Sequence, residues 1–386
     1  MADLTARPPT ASATLAPAPA LREEVLRCLR AFAWDAFGPL PGAAAPELLE
    51  GKLPVPLTDL LRFAEYEGVT EAVAAGLLLR LGDQAGAAAM LLEGPRRLAR
   101  AKARAYRAEL VDLGRILTGV GQQAIALKGA AVLAEAETPP AWRDMIDLDL
   151  LIAPEALDPA LIALKAEGWT GDFAAFSPRT DYHFPALFPP GDAPATVELH
   201  LRLGWAKSGP LTPAQLFPRA SPSAIAGVRV LSVTHRLAHL VQHAQRGDRR
   251  FARGTARLRD ALDWRMLTAR PDAPDIAELV ALLAQGGSSA RQGAEAFAAL
   301  QAMIWAAPCA DAGWARQHGA WADIALSRIA DPEAAKAAKA ADRLRGWCEA
   351  LSDPAMLRHM MAGSLNPARR ARFLSRLGIG RAPRGD

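Results

Sequence analysis

The chain of 386 residues is long enough for two domains, or for one core with helical additions. Hydrophobic residues make up 51% and charged residues 22%, which is ordinary for a soluble protein. The formal net charge is only +4, so the overall charge does not indicate a nucleic-acid-binding protein. Three widely spaced cysteines argue against a disulfide framework or a structural zinc site, and they favour a reducing cytoplasm.

The first part of the chain is predicted to be helical after a short leader. Residues 1–20 are rich in Pro, Ala and Thr and lack the basic start and apolar run of a signal peptide, so we predict a disordered leader. Apolar residues recur at three-to-four spacing from 21 to 118, which predicts a helical region. LREEVLRCLRAFAW begins it, two helices broken near Gly68 follow, and a long helix with a basic first half ends it.

Helical and strand patterns alternate between residues 119 and 210. QQAIAL and IDLDLLIA are predicted strands, and LKGAAVLAEA and PEALDPALIALKAEGW are predicted helices. DYHFPALF and ATVELHLRL are two further predicted strands, separated by the turn-rich segment PPGDAP. We therefore predict an α+β fold in which a small sheet domain, residues 119–210, lies between helical regions.

The remainder of the chain returns to a helical pattern. Residues 211–365 show helical periodicity, for example in THRLAHLVQHAQ and ARLRDALDWRML, and residues 366–386 form a basic tail. Charged residues interrupt each apolar stretch before it is long enough to span a bilayer. We expect a soluble, cytoplasmic protein with no membrane partner, and the sequence does not set its oligomeric state.

The segment WRDMIDLDLLI, which begins at Trp142, places acids inside an apolar strand. Side chains two residues apart share one face of a strand, so Asp147 and Asp149 point the same way while Leu148 and Leu150 point into the core. Neighbouring carboxylates repel each other, and a hard divalent cation such as Mg²⁺ or Mn²⁺ relieves that repulsion. Two acids on one face of a strand more often mark a strand edge that faces water. Here the residues that flank them are apolar, which favours a metal site.

A second predicted strand, TVELHLRL, carries Glu198 and His200 on one face. If it lies beside IDLDLLIA, Glu198 supplies a third carboxylate, and such acids can hold metal ions for an in-line displacement at phosphorus. LKGAA is the expected phosphate side, because the N–H groups of a helix that begins near Gly129 favour anions and Lys128 adds a positive charge. The alternative for Lys128 and Gly129 is an ordinary turn before a helix.

In this order, LKGAAVL, RDMIDLDLLI and VELHLRL resemble the uncharacterised nucleotidyltransferase family of the polymerase-beta-like superfamily. Its members carry an LKG segment, a DIDLL strand and an ELHW-like strand. The resemblance covers about residues 119–205, with a weaker similarity in THRLAHLVQHA and LRDALDW. The first 118 residues carry no motif that we can place.

The resemblance implies a minimal nucleotidyltransferase fold, a mixed sheet flanked by helices. It implies that Asp147, Asp149 and Glu198 are the catalytic metal ligands, and that an acceptor hydroxyl attacks the α-phosphorus of an NTP with release of pyrophosphate. Mg²⁺ or Mn²⁺ is the implied cofactor, and the acceptor stays open. The nucleotide-binding residues are predicted to be Lys128, Gly129, Arg143 and His200. Alternatively, and equally well, Arg143 forms a salt bridge with Asp144. Asp144 itself is predicted to be a turn or cap residue.

Two positions depart from the superfamily pattern. Gly129-Ala130 stands where a Gly-Ser pair is common, which removes one hydroxyl contact to phosphate, and Leu201 replaces the aromatic residue of the ELHW-like strand. Three other functions use the same features: a phosphotransferase that moves the γ-phosphoryl group, an RNA-modifying toxin-like enzyme, and a non-catalytic protein that binds a nucleotide or a partner. The clustered acids argue against the last of these.

Other polar patterns are open to two interpretations. Three histidines one helical turn apart could bind zinc, but we favour a helix face that packs against the catalytic unit; they are His235, His239 and His243. His183 is a further pocket candidate. Asp260 and Asp263 are predicted to be surface acids or partners of Arg257 and Arg259. Basic clusters at 96–107, 246–259 and 369–384 favour solvated faces and a tail over nucleic-acid binding.

Overall fold

A computed structural model describes residues 18–43, 45–49, 52–136, 140–171, 182–191, 195–203, 210–329 and 331–352. In these ranges the chain forms fourteen α-helices and a seven-stranded mixed sheet, which confirms the predicted α+β fold with flanking helices. The first helix takes in the last three residues of the predicted leader, and the rest of the leader lies outside the described residues. The predicted basic tail lies entirely outside them.

The elements follow one another with short connections. The helices are α1 (Ala18–Phe37), α2 (Leu57–Glu67), α3 (Thr70–Leu81), α4 (Gly86–Gly119), α5 (Lys128–Glu135), α6 (Leu157–Ala166), α7 (Pro213–Leu216), α8 (Val233–Gln242), α9 (Arg250–Arg253), α10 (Leu258–Thr268), α11 (Ile276–Ala284), α12 (Ser288–Ile304), α13 (Ala312–Ile329) and α14 (Pro332–Ser352). The strands are β1 (Ala124–Ala126), β2 (Asp147–Ile152), β3 (Thr170–Gly171), β4 (Leu187–Phe188), β5 (Thr196–His200), β6 (Ser221–Pro222) and β7 (Val228–Val230).

The sheet has the strand order β3-β4-β5-β2-β1-β7-β6. The central strand β2 runs parallel to β5 and antiparallel to β1, and β1 runs parallel to β7. Strands β6 and β7 come from residues 221–230, beyond the sheet domain predicted at 119–210. They are so short that their sequence shows no clear alternation, and pairing with β1 is what makes them strands.

Gly68 explains why the predicted helical break occurs between α2 and α3. Its φ of +73° is a left-handed conformation that favours glycine, and its N–H caps α2 by donating to the carbonyl oxygens of Ala64 and Glu65. The carbonyl oxygen of Gly68 in turn accepts a hydrogen bond from the N–H of Asp144, at 3.2 Å. This turn therefore ties the N-terminal helices to the loop that leads into β2.

Two apolar clusters form the interior. One covers the sheet with α4, α5 and α6, and it includes Leu148, Leu150 and Leu199. The other joins the N-terminal and C-terminal helical regions, for example through Leu29 on α1 and Leu262 on α10, so these two regions share a core. Each buried leucine contributes roughly 1.5 to 3 kcal/mol relative to an exposed one. The domain boundaries drawn from the sequence stay a prediction.

Among the described residues, every helix is too short or too polar to cross a membrane.

Candidate active site

The pairing of β2 with β5 brings the predicted acids together. In this parallel register Asp149 lies opposite Glu198, and Leu151 lies opposite His200. Asp147 and Asp149 share one face of β2, while Leu148 and Leu150 are fully buried on the other. Glu198 could join the two aspartates only if the two strands lay side by side, and this pairing is confirmed.

Asp149 is the most enclosed carboxylate of the group, with 3% of its surface exposed. Lys128 Nζ lies 3.1 Å from its Oδ1 and 3.0 Å from its Oδ2, and His200 Nε2 lies 2.7 Å from Oδ1. Burial raises the pKa of Asp149, but Lys128 and His200 outweigh it and hold that pKa well below its usual range. Asp149 is therefore ionised at neutral pH.

Glu198 lies between two histidines. Its Oε2 is 3.7 Å from His200 Nε2 and 3.7 Å from His183 Nδ1, and His183 Nδ1 is also 2.9 Å from the carbonyl oxygen of Phe184. Burial raises the pKa of Glu198, as does the charge of Asp149, although His183 opposes them. The prediction that His183 belongs to the pocket agrees with this placement.

Asp147 lies at the outer end of the cluster, at the first residue of β2. Burial and the neighbouring charge of Asp149 raise the pKa of Asp147, while Lys128 and Arg259 lower it. The repulsion expected from the sequence is therefore present, and it falls on Asp147 because Asp149 has the closer cations. A bound cation would relieve it.

The donor atoms fit a divalent metal. One ligand atom each from Asp149, Glu198 and His200 lies within 4.8 Å of the other two. Carboxylate oxygens suit Mg²⁺ and Mn²⁺, and an imidazole nitrogen is also acceptable to Mn²⁺ or Zn²⁺. Asp147 is not a member of this group and stays a predicted ligand, whereas His200, predicted to bind nucleotide, lies among the metal-type donors.

The start of α5 is strained in the way expected for a binding loop. Leu127 is extended and forms no side-chain cap, and Lys128 has a φ of +47°, which is unfavourable for a residue with a Cβ. A Cβ on Gly129 would collide with Met145 Sδ and Arg143 Nη1. Gly129 is thus required by the close approach of the loop before β2.

The segments that form the site, α5, β2 and β5, all lie within a region that matches a known protein family. The sequence model of a family described as "uncharacterised nucleotidyltransferase" matches residues 54–294, more than half of the chain. The chain belongs to this nucleotidyltransferase family. No curated protein and no solved structure gives a match. The family match begins upstream of residue 119 and includes the helices α2, α3 and α4, which carry no recognisable motif.

Arg143, predicted to bind phosphate, is buried against a carboxylate in this nucleotidyltransferase. Its Nε lies 2.8 Å from Asp263 Oδ1 and 2.9 Å from Oδ2. Asp144, the alternative partner, instead accepts hydrogen bonds from Thr70 Oγ1 at 3.0 Å and Thr70 N at 3.4 Å, which agrees with its predicted capping role. A direct phosphate contact of Arg143 stays a prediction.

The prediction that Asp260 and Asp263 are surface acids was wrong. Both are buried on α10, and they pair with Arg250 and Arg143 instead of Arg257 and Arg259. The physical reason is the position of α10, which packs against α1, α8 and α12 so that almost every one of its side chains is enclosed. Arg143 lies 120 residues upstream of Asp263 and Arg250 lies on the preceding helix, and the local pattern of α10 could identify neither.

Two of the three helix histidines face the site. The His239 and His243 rings lie 6.0 Å apart, and burial lowers the pKa of both, to about 4 for His243, with Lys128 among the charges that add to the effect. Both are therefore neutral at pH 7. His235 lies 2.7 Å from Ser232 Oγ at the start of α8. Among the described residues, none of the three belongs to the group of convergent metal-type donors, which favours the predicted packing face over zinc.

The basic clusters are largely occupied by acids of the same chain. Arg96 lies 3.1 Å from Glu71, and Arg97 lies 2.9 Å from Glu93. In the second cluster, Arg249 and Arg253 both contact Asp342, at 2.9 and 2.8 Å. The third cluster lies outside the described residues. The exposed Arg97 agrees with a solvated face, but the prediction was wrong for Arg250 in the second cluster, which is buried between Asp248 and Asp260.

Proposed function

We propose that this protein is a divalent-metal-dependent nucleotidyltransferase that transfers an NMP group from an NTP to a hydroxyl acceptor and releases pyrophosphate. The observation that supports it most is the register of β2 and β5, which holds Asp149 and Glu198 side by side with Asp147 on the same face. Membership of a nucleotidyltransferase family supports nucleotidyl transfer in general.

In this proposal Asp149 and Glu198 are the principal metal ligands, His200 completes the donor set, and Asp147 contributes from the outer end of β2. The metal, Mg²⁺ or Mn²⁺, would neutralise charge on the transferring phosphate and its leaving group. Lys128, which now neutralises Asp149, is placed at the start of α5 to share its charge with a nucleotide phosphate.

The residues around the cluster keep its geometry. His200 Nε2 contacts Asp149 Oδ1, which fixes the orientation of that carboxylate, and His183 lies against the other side of Glu198. Fixed ligands lower the reorganisation needed when the substrate binds, which is how an enzyme stabilises charge that develops in the transition state.

The test is nucleotide binding measured by calorimetry with ATP, GTP, CTP and UTP, each with Mg²⁺, with Mn²⁺ and without metal. We expect metal-dependent binding of at least one NTP by the wild type, and none by the double variant Asp147→Asn with Asp149→Asn. Asp158→Asn changes an exposed acid on α6 and is the matched control, expected to bind as the wild type does.

The identified NTP, labelled at either the α- or the γ-phosphate, then separates the reaction types. Transfer of the α-label with release of pyrophosphate is expected, and transfer of the γ-label would instead assign a phosphotransferase. In the single variant Asp149→Asn we expect turnover to fall on the order of a thousandfold or more, the effect of losing several kcal/mol of charge stabilisation. Equal NTP binding by the wild type and the double variant would contradict the proposal.

A further inference from the structure

Three cations that the structure describes around the candidate site are paired with acids. Lys128 pairs with Asp149, Arg143 with Asp263, and Arg250 with Asp248 and Asp260. Arg259, in the first turn of α10, forms no ion pair with any described carboxylate. Its Nε is buried and has no hydrogen-bond partner among the described residues.

The position of Arg259 follows from its neighbours. A Cβ on Gly68 would lie 3.3 Å from Arg259 Cδ, so the stem of the side chain runs along the turn between α2 and α3. Burial, and then repulsion from Arg143, lower the pKa of Arg259, while its own charge lowers the pKa of Asp147. The same Cβ on Gly68 would lie 3.8 Å from Asp144 Cβ, so Arg259 runs beside the segment that leads into β2.

These contacts place a row of positive charge beside the acids. The start of α5 has no side-chain cap, Arg143 Nη1 lies directly against Gly129 at that helix start, and Arg259 is the next cation along. A half-buried guanidinium that lies beside a second cation, with its Nε buried and unbonded, is unfavourable unless an anion compensates it, and Asp260 and Asp263, which attract it, are already paired with Arg250 and Arg143. A polyphosphate is the anion that could contact this row while its reacting phosphate lies at Asp149 and Glu198.

We propose that Arg259 binds the terminal phosphates of the NTP. Two residues of a strand, from Asp149 to Asp147, span roughly 6 to 7 Å, so a group near Asp147 lies beyond the phosphate held at Asp149 and Glu198. Arg259 would thus contact the part of the substrate that leaves as pyrophosphate, and Arg143 would position the start of α5 beside it. This assignment rests on the proposed nucleotidyltransferase function.

The experiment compares Arg259→Met with Arg257→Met, a matched control in which the lost guanidinium contacts the carbonyl oxygen of Tyr66 at 2.9 Å. Affinities are measured for ATP and AMP with metal, and for inorganic tripolyphosphate without metal. In Arg259→Met we expect ATP and tripolyphosphate to bind roughly ten- to a hundredfold more weakly, the effect of losing a charged hydrogen bond, and AMP to bind as before. Arg257→Met should leave all three affinities unchanged, and Arg259→Lys should restore part of the loss.

Thermal unfolding without ligand separates binding from a structural role. Because Arg259 forms no ion pair with a described carboxylate and lies beside Arg143, Arg259→Met should unfold at the same temperature as the wild type or at a higher one. A lower unfolding temperature together with an equal loss of ATP and AMP affinity would overturn the assignment, as would unchanged affinity for ATP and tripolyphosphate.

Different results would overturn the assignment of Arg259 and the proposed nucleotidyltransferase function. If the wild type binds no NTP with any metal, the proposed function fails. Tripolyphosphate binding that requires Arg259 would still support an anion subsite in that case, and its absence would overturn both.

Discussion

Two clusters of buried charge meet at the candidate site, and they differ in balance. On α10, each acid has its own cation: Asp263 pairs with Arg143 and Asp260 with Arg250. On β2 and β5, three carboxylates share the single ammonium of Lys128 and the imidazoles near them. A balanced pair holds two segments together, whereas an excess of one sign needs an external partner. The imbalance therefore marks the strand cluster as the ligand-binding part.

The largest expected effect on stability is on the balanced pairs. Asp263→Asn leaves the buried Arg143 without a carboxylate, and we expect a loss of about 3 to 5 kcal/mol in the free energy of unfolding. Asp149→Asn should cost less, because Lys128 keeps Asp147 and Glu198 as neighbouring acids. Urea unfolding at pH 7 without metal measures both, with Asp158→Asn as the exposed control. Equal losses in Asp263→Asn and Asp149→Asn would remove the distinction between the two clusters.

A smaller effect concerns Glu109, a buried acid on α4 whose Oε2 accepts a hydrogen bond from Ala195 N at 3.2 Å, just before β5. Burial raises the pKa of Glu109 from 4.5 to about 7. The folded state therefore binds a proton that the unfolded state has lost, so stability falls as the pH rises from 4.5 to about 7 and then levels off.

Glu109→Gln keeps the acceptor for Ala195 without the charge. We expect the wild type to lose roughly 2 to 3 kcal/mol more than this variant across that pH window. Unfolding free energies measured at half-unit steps of pH test this, and parallel curves for the two proteins would exclude the assignment.

The smallest expected effect is a gain in stability. Because Asp147 is repelled by Asp149 in the free protein, Asp147→Asn should stabilise the fold by about 0.5 to 1 kcal/mol without metal. The same variant should gain less stability from added Mg²⁺ or Mn²⁺ than the wild type does. Thermal unfolding with and without metal measures both differences. A loss of stability without metal would mean that Asp147 supports the scaffold in the way that Asp263 does.

Much of the site could be predicted because its signals are local. Alternating residues in IDLDLLI place Asp147 and Asp149 on one face, and the same rule pairs Glu198 with His200. The change from strand to helix at LKGAA predicted a helix start near Gly129, and α5 begins one residue earlier, at Lys128. Each of these follows from a few consecutive residues, whose backbone periodicity is fixed before any long-range contact forms.

The errors arose where a partner is distant. Asp263 is separated from Arg143 by 120 residues, and nothing in RLRDALDW distinguishes a buried acid from an exposed one. Arg259 was assigned to a surface pair for the same reason. The available signal was that Arg259 lies on a helix whose other side chains are mostly buried. That burial is known only once the packing of α10 is known.

By itself, the sequence determined the main helices, the central strands, the α+β class and the residues able to carry metal chemistry, since strand and helix periods and the chemistry of side chains are local properties. Only the tertiary structure decided which charges have partners. It set β2 beside β5 in a register that places Asp149 opposite Glu198, and it left Arg259 without an ion pair to any carboxylate that the structure describes. Pairing is decided by distance in space, and segments far apart in the chain meet only when their apolar faces are buried together.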